Sequence, residues 1–251
     1  MGMNQGKLFF QNIRSALGHD PVRRRPWADM GRCRRGDTTI VKRDREDRLA
    51  LLETLQERSK VNSIPVSVCS NPAMAASVVA GIVKQNLPEE GGSAHVMAWR
   101  HAVIDSLELE LALATVASQI TVCAAANGEQ GPRESDRQRA KDLAATAVCG
   151  ITSADWCLAE TATLVMRTRP GQGRAVSLLP PVHIAVIPLS SLIGGLAELY
   201  SVLGNDRDTS YHGLTNCMTF VSGRSTTRDI ESVAVPGAHG PKAMHIVVIT
   251  G

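Results

Sequence analysis

The chain has 251 residues, 43% apolar and 20% charged, which suffices for one large domain or two small ones with a proper core and is ordinary for a globular protein. Aromatic residues are only 3% of the chain, so the core must be built mainly of Ala, Val, Leu and Ile. The net charge of +3 hides an asymmetry: residues 1–50 carry 12 Lys/Arg against 6 Asp/Glu, and the remaining 201 carry 15 against 18.

The six cysteines, Cys33, Cys69, Cys123, Cys149, Cys157 and Cys217, include no C-x-x-C pair. That spacing argues against zinc ribbons, thioredoxin chemistry and iron–sulfur clusters held by this chain, and no metal site is expected. Four of them, from Cys69 to Cys157, lie in apolar runs and read as small core residues. There is no signal-peptide pattern and no apolar run of bilayer-spanning length, so the expected place is the reducing cytoplasm.

The first element is a short amphipathic helix over 6–18, ending at Gly18. A basic arm follows, centred on PVRRRPWADMGRCRRGD (21–37) and broken by Pro21, Pro26 and Gly36. It is either a solvated arm or one that docks on an acidic partner; with one Trp and no stacking array, nucleic acid is the weaker reading. A second amphipathic helix runs from Arg45 to Val61. IPVSVC (64–69) is a strand, and NPAMAASVVAGIVKQ (71–85) a helix with Asn71 as N-cap and Pro72 in its first turn. AHVMAW (94–99) is a strand, SLELELALATVAS (106–118) a helix, QITVCAA (119–125) a strand, and RESDRQRAKDLAATAVCG (133–150) a helix stopped by Gly150.

Three strand–helix alternations predict βαβ units in a parallel sheet covered by helices. Beyond residue 150 strands dominate: DWCLAE, ATLVM, AVSLL and HIAVIP. Residues 189–204 read as one helix, and NCMTFVSG, SVAVP and MHIVVIT as closing strands. The domain reading is a helical, basic N-terminal extension over 1–44 and one α/β domain over 45–251.

Standard cofactor motifs are missing. PGQGRAVS has G-x-G without a third glycine and leads into a strand-like run, so it is no dinucleotide fingerprint. There is no P-loop, no G-x-S-x-G and no H-E-x-x-H. Three stretches carry the remaining candidates. In AETATLVMRTRPGQGR, Glu160 ends a run that reads as buried sheet, and a buried carboxylate needs a partner. Arg167, Arg169 and Arg174 are available, and Glu160 is either a hairpin clamp or a carboxylate facing a cleft. Gly171 and Gly173 allow close backbone approach in the adjoining turn. In FVSGRSTTRDIE, Ser222, Gly223, Arg224, Ser225, Thr226, Thr227 and Asp229 form a loop that either presents amides, hydroxyls and guanidinium to an anion or is an ordinary polar turn. In PGAHGPKAM, His239 sits among small residues and is either structural or a titrating group, and His183 is placed near the same region. Glu160 and His239 are the candidate catalytic residues, and the reading places all three stretches at the carboxyl ends of the strands.

Taken together, GITSADWCLAETATLV, PGQGRAVSLLPPVHIAVIP, MTFVSGRSTTRDIE and GAHGPKAMHIVVI resemble the LUD-domain family, and within it the lactate utilization protein C (LutC/YkgG/LldG) branch. The resemblance runs from about residue 45 to 251. It departs in two places: Ala162 stands where the family often has glycine, and Arg224 stands within a segment where it often has Ser-Gly-Pro-Ser. It implies a fold like the NagB/RpiA/CoA-transferase group. It also implies a subunit of a three-protein system oxidising L-lactate to pyruvate, with the iron–sulfur clusters in partner proteins, no cofactor in this chain, and no settled catalytic residues. The rival expectations are a stand-alone enzyme for a phosphorylated or CoA-linked small molecule, and a scaffold that recruits partners through its basic arm.

Overall fold

The computed structural model describes residues 42–87, 94–117, 119–123, 134–205, 217–228, 234–236 and 239–251. They fall in one compact unit, Ile40–Gly251. The expected helix over 6–18 and most of the basic arm lie outside the described residues.

Helix α1 (Arg45–Val61) opens with a capping box, in which Asp44 accepts from the Asp47 N–H and Asp47 accepts from the Asp44 N–H. Strand β1 (Val66–Cys69) leads to α2 (Pro72–Gln85), whose N-cap Asn71 accepts from Met74 N–H at 2.8 Å. Then come β2 (His95–Ala98), two single-turn helices α3 (Ala102–Asp105) and α4 (Leu109–Ala112), β3 (Gln119–Val122), α5 (Glu134–Thr146) and β4 (Cys149–Thr152). Strands β1, β2, β3 and β4 join β7 (Val182–Pro188) and β12 (Ala243–Ile249) in a six-stranded sheet of order β1-β12-β7-β4-β2-β3, parallel throughout. The expected α/β architecture with a mostly parallel sheet is therefore what the chain adopts.

The central strands β7, β4 and β2 are buried on both faces and rich in apolar residues, whereas the edge strands β1 and β3 are partly exposed. Alternate residues serve opposite cores: Ala185, Ile187, Ile246 and Val248 meet Leu52 and Leu55 of α1, whereas Ile184, Val186, Val247 and Ile249 meet Val79 and Val83 of α2. Each fully buried Ile or Val contributes about 1.5–3 kcal/mol relative to exposure.

A second, four-stranded sheet of order β8-β5-β6-β9 is formed by β5 (Trp156–Leu158), β6 (Thr163–Arg167), β8 (Leu192–Ile193) and β9 (Met218–Val221). It mixes the parallel pair β5–β8 with the antiparallel pairs β5–β6 and β6–β9. Helix α6 (Ala175–Leu178) precedes β7, α7 (Leu196–Asn205) follows β8, and β10 (Thr226–Arg228) pairs antiparallel with β11 (Ala234–Pro236). No helix among the described residues is long and apolar enough to cross a membrane.

Four sequence expectations are corrected. The helix expected over 106–118 is, among the described residues, the single turn Leu109–Ala112 followed by turns, after Glu108 takes φ 47°. AVSLL is the helix α6, packed so closely that a β-carbon on Gly150 would run into the Val176 carbonyl. The helix expected over 189–204 is a 3₁₀ turn (Leu189–Ser191), then β8, then α7 from Leu196, because Gly194 and Gly195 interrupt it. Gly150 does not stop the helix before it: α5 ends at Thr146, and Cys149 and Gly150 begin β4.

Candidate functional site

Glu160 sits in a 3₁₀ turn, Ala159–Thr161, between β5 and β6. The turn lifts the side chain out of the buried run, so Glu160 is exposed and not the buried carboxylate its surroundings suggest. Its backbone is fixed nonetheless: the Glu160 N–H donates to the Gly194 carbonyl at 3.0 Å. The carboxylate lies against Gly195, where a β-carbon would overlap Oε2. Gly195 precedes α7 and accepts its first helical bond, from Leu199 N–H at 3.1 Å. A carboxylate is favoured beside the positive end of a helix dipole.

A second carboxylate faces the same Gly-Gly turn. Glu198 Oε2 accepts from Gly194 N–H at 2.7 Å and from Arg43 Nη2 at 2.7 Å, and Oε1 accepts from Arg43 Nε at 3.0 Å. Burial alone would raise the Glu198 pKa. The Arg43 hydrogen bond, the Gly194 amide and the charges of Arg43 and Arg48 outweigh it and hold the carboxyl below its usual value. Glu160, in contrast, has no side-chain hydrogen bond or ion pair among the described residues.

The arginines offered as partners for Glu160 go elsewhere. Arg167 Nε donates to Asp155 Oδ1 at 2.9 Å, its N–H to Oδ2 at 2.8 Å, and Arg169 Nη1 to Oδ1 at 2.6 Å. Arg167 also lies over the Trp156 ring, 4.6 Å from its centroid. Arg174 is exposed, at the start of α6.

Next to Glu160, polar contacts run from Thr161 to one of the other candidates, Ser222. Thr161 Oγ1 donates to Thr163 Oγ1 at 2.8 Å, and Thr163 Oγ1 meets Ser222 Oγ at 2.8 Å, because β6 and β9 run side by side. Asn62 Nδ2 reaches the Thr161 carbonyl at 3.4 Å, and Gly223, at φ 149°, lies over Asn62 and Ile64. Ser225 N–H donates to the Pro241 carbonyl at 2.9 Å, and His239 N–H to Ser225 Oγ at 3.4 Å. His239, Ser222, Arg224 and Thr226 are exposed. The side chain of Thr227 and all of Asp229 lie outside the described residues.

The expected convergence at the carboxyl ends of the strands is corrected. The Ser225–His239 contact lies at the amino ends of β7 and β12: Lys242 N–H donates to the Pro181 carbonyl at 2.8 Å just before both strands begin. The turn with Gly171 and Gly173 is instead at the carboxyl ends of β2 and β3. There Arg100 N–H donates to the Gly171 carbonyl at 3.0 Å and Trp99 Nε1 to the Gly173 carbonyl at 2.9 Å. His183 is no edge residue: it is fully buried, with Nε2 at 2.8 Å from Thr152 Oγ1, and burial lowers its pKa to about 4.

A model of the LUD domain matches residues 52–249. The chain belongs to the LUD-domain family. Among its relatives, lactate utilization protein C of Halalkalibacterium halodurans is 36% identical over 164 residues, which are 65% of this chain and 66% of that protein. The protein of the same name from Shouchella clausii is 42% identical over 115 residues, 45% of this chain and 49% of that protein. The matched segments thus span only about half to two-thirds of the length of these curated relatives. A crystal structure of a DUF162 family protein from Deinococcus radiodurans overlays with a TM-score of 0.49 at 17% identity, covering 80% of this chain and 98% of that chain.

Within this LUD domain, Ala162, where the resemblance leads to the expectation of glycine, has a backbone suited to glycine. Ala162 has φ 49° and ψ 44°, the left-handed region, and is fully buried. Arg224 is an exposed loop residue. Sequence reasoning missed Gly194, Gly195, Glu198, Arg43 and Asp155. Two adjacent glycines inside an apparent helix were the available signal, since glycine pairs break helices.

Proposed function

We propose that this LUD-domain chain serves lactate utilization, as a LutC-like subunit of a three-protein system that oxidises L-lactate to pyruvate in the cytoplasm. The observation that carries the reading is the LUD match over 52–249 together with relatives named lactate utilization protein C at 36% and 42% identity. In this reading the iron–sulfur clusters belong to the partner proteins. The absence of any C-x-x-C pair in the sequence supports that division.

Glu160 is the acidic group this reading places at the working surface. Its backbone is tied to Gly194, its carboxylate lies against Gly195, and the side chain is open to solvent. An exposed carboxylate on a backbone-anchored turn, without a cation of its own among the described residues, suits contact with a basic group on a partner.

The test is growth on L-lactate as sole carbon source. A strain lacking its own copy is complemented with the wild-type chain or with Glu160→Ala, and iron–sulfur proteins are sought by co-purification. The expected result is growth with the wild type, co-purified iron–sulfur partners, and growth lost in Glu160→Ala at unchanged protein level. Normal growth of the deletion strain on lactate would overturn the reading. Full growth with Glu160→Ala would remove Glu160 from it.

A further inference from the structure

A cleft of about 310 Å³ opens at the carboxyl ends of β7 and β12. Pro188, Leu189 and Ile249 give it an apolar floor, and Arg43, Arg45 and Arg48 a cationic wall. The wall is contributed by residues that precede the LUD match at 52–249, while the floor lies within it. In open α/β sheets ligands sit outside the carboxyl ends of the strands, and none of the sequence candidates reaches this place.

Two of the three guanidinium groups are held in advance. Arg43 is fixed by both oxygens of Glu198, and Arg48 Nη1 donates to the Ser190 carbonyl. Arg45 is exposed and has no hydrogen bond or ion pair among the described residues. Among the described residues that line the cleft, Asp44 is the one with an acidic side chain; it accepts from Asp47 N–H at 2.8 Å, and Ser190 and Gly251 complete the lining. Glu198 takes both of its hydrogen bonds to a guanidinium from Arg43, so Arg45 and Arg48 are the guanidinium groups left to face the cleft, with Asp44 beside them. Each guanidinium has five N–H donors and spends only part of them on these contacts.

We infer that this cleft binds a short-chain carboxylate, with its charged end on Arg45 and Arg48 and its carbon tail on Leu189 and Ile249. The floor decides the class. Leu189 and Ile249 are each 6% exposed and offer no donor to a dianion, which would lose water there without return. A monocarboxylate with a short tail uses both halves: paired donors for the carboxylate and apolar contact for the methyl end. Arg48, held in advance by the Ser190 carbonyl, lowers the ordering cost of binding. The site stands on this geometry alone; that the acid is lactate or pyruvate rests on the function proposed above.

Isothermal titration of the full chain with propionate, L-lactate, pyruvate and inorganic phosphate tests it, at low and high salt. The expected result is saturable binding of at least one of the three acids, weakened by salt. Arg45→Ala should weaken it by about five- to tenfold, as for loss of one charge-assisted contact. Ser190→Trp, which fills the cleft and keeps the carbonyl that holds Arg48, should abolish it. Unfolding midpoints should stay unchanged in both variants. Propionate binding alone would uphold the site while counting against lactate as its ligand. No saturable heat with any acid, phosphate bound in preference, or wild-type binding in either variant would overturn the inference.

Discussion

The carboxylate of Glu160 lies against the α-carbon of Gly195, in the space that any β-carbon at 195 would fill. Gly195→Ala should push the carboxylate aside at a cost below about 1 kcal/mol, because the atoms in the way are the exposed far end of a flexible side chain and not backbone. Gly204, with open space around it in α7, is the control: Gly204→Ala should be neutral or stabilising by up to about 1 kcal/mol. Urea midpoints of both variants check this, and a loss of about 3 kcal/mol or more in Gly195→Ala would mean that the Glu160 side chain is locked in place.

Ala162 makes a separate test, since its backbone is left-handed and its methyl fully buried. That conformation costs a residue with a β-carbon about 1–2 kcal/mol. Glycine would recover much of this but lose a buried methyl, about 0.8 kcal/mol, and pay unfolded-chain entropy. Ala162→Gly should accordingly fall within about 1 kcal/mol of wild type. Ala162→Val should lose about 3 kcal/mol or more, since a branched side chain meets both the backbone strain and a full core. Thermal or urea unfolding of the pair checks this; a tolerant valine would mean the turn is not left-handed at 162.

Much of the fold was legible because the patterns were local. Asn71 and Pro72 mark the start of α2, and the charges along 45–61 mark α1. The short apolar runs were harder. AVSLL fits a strand or a turn of helix equally, and only its packing on Gly150 decides for helix. In SLELELALATVAS the leucines alternate, so Leu107, Leu109 and Leu113 are buried while Leu111 is 75% exposed, and the run breaks into one short helix and turns after Glu108 adopts φ 47°. The candidate site was legible in part. The Thr163–Ser222 and Ser225–His239 contacts join stretches chosen from sequence. The partners of Glu160 were not legible, because Gly194 and Gly195 arrive from 34 residues or more along the chain, with no local pattern linking them.

Asp155 should prove costly to replace. Its side chain is 10% exposed and receives Arg167 through backbone and guanidinium and Arg169 through Nη1. Removing one partner of such a pair leaves a poorly solvated charge, at about 3–5 kcal/mol. Asp155→Asn keeps the shape and one acceptor and should cost less than Asp155→Ala. Equal, small losses in chemical denaturation would show the cluster to be solvent-screened.

His183 should contribute to the acid sensitivity of the fold. Complete burial lowers its pKa to about 4, against 6.5 in an unfolded chain. Between those values the unfolded chain binds a proton that the folded chain refuses, so stability rises with pH there. The contribution is fully present above about pH 6.5 and is lost as the pH falls toward 4, at up to about 1.4 kcal/mol per pH unit. His95, His101 and His245 are lowered by burial as well and add to the same slope. Replacing His183 alone isolates its share: His183→Gln should be less stable at pH 8, since the Thr152 contact changes, yet should lose less stability between pH 6.5 and pH 4 than the wild type does. Urea titrations at several pH values read the two slopes, and parallel slopes would mean that His183 charges without unfolding the chain.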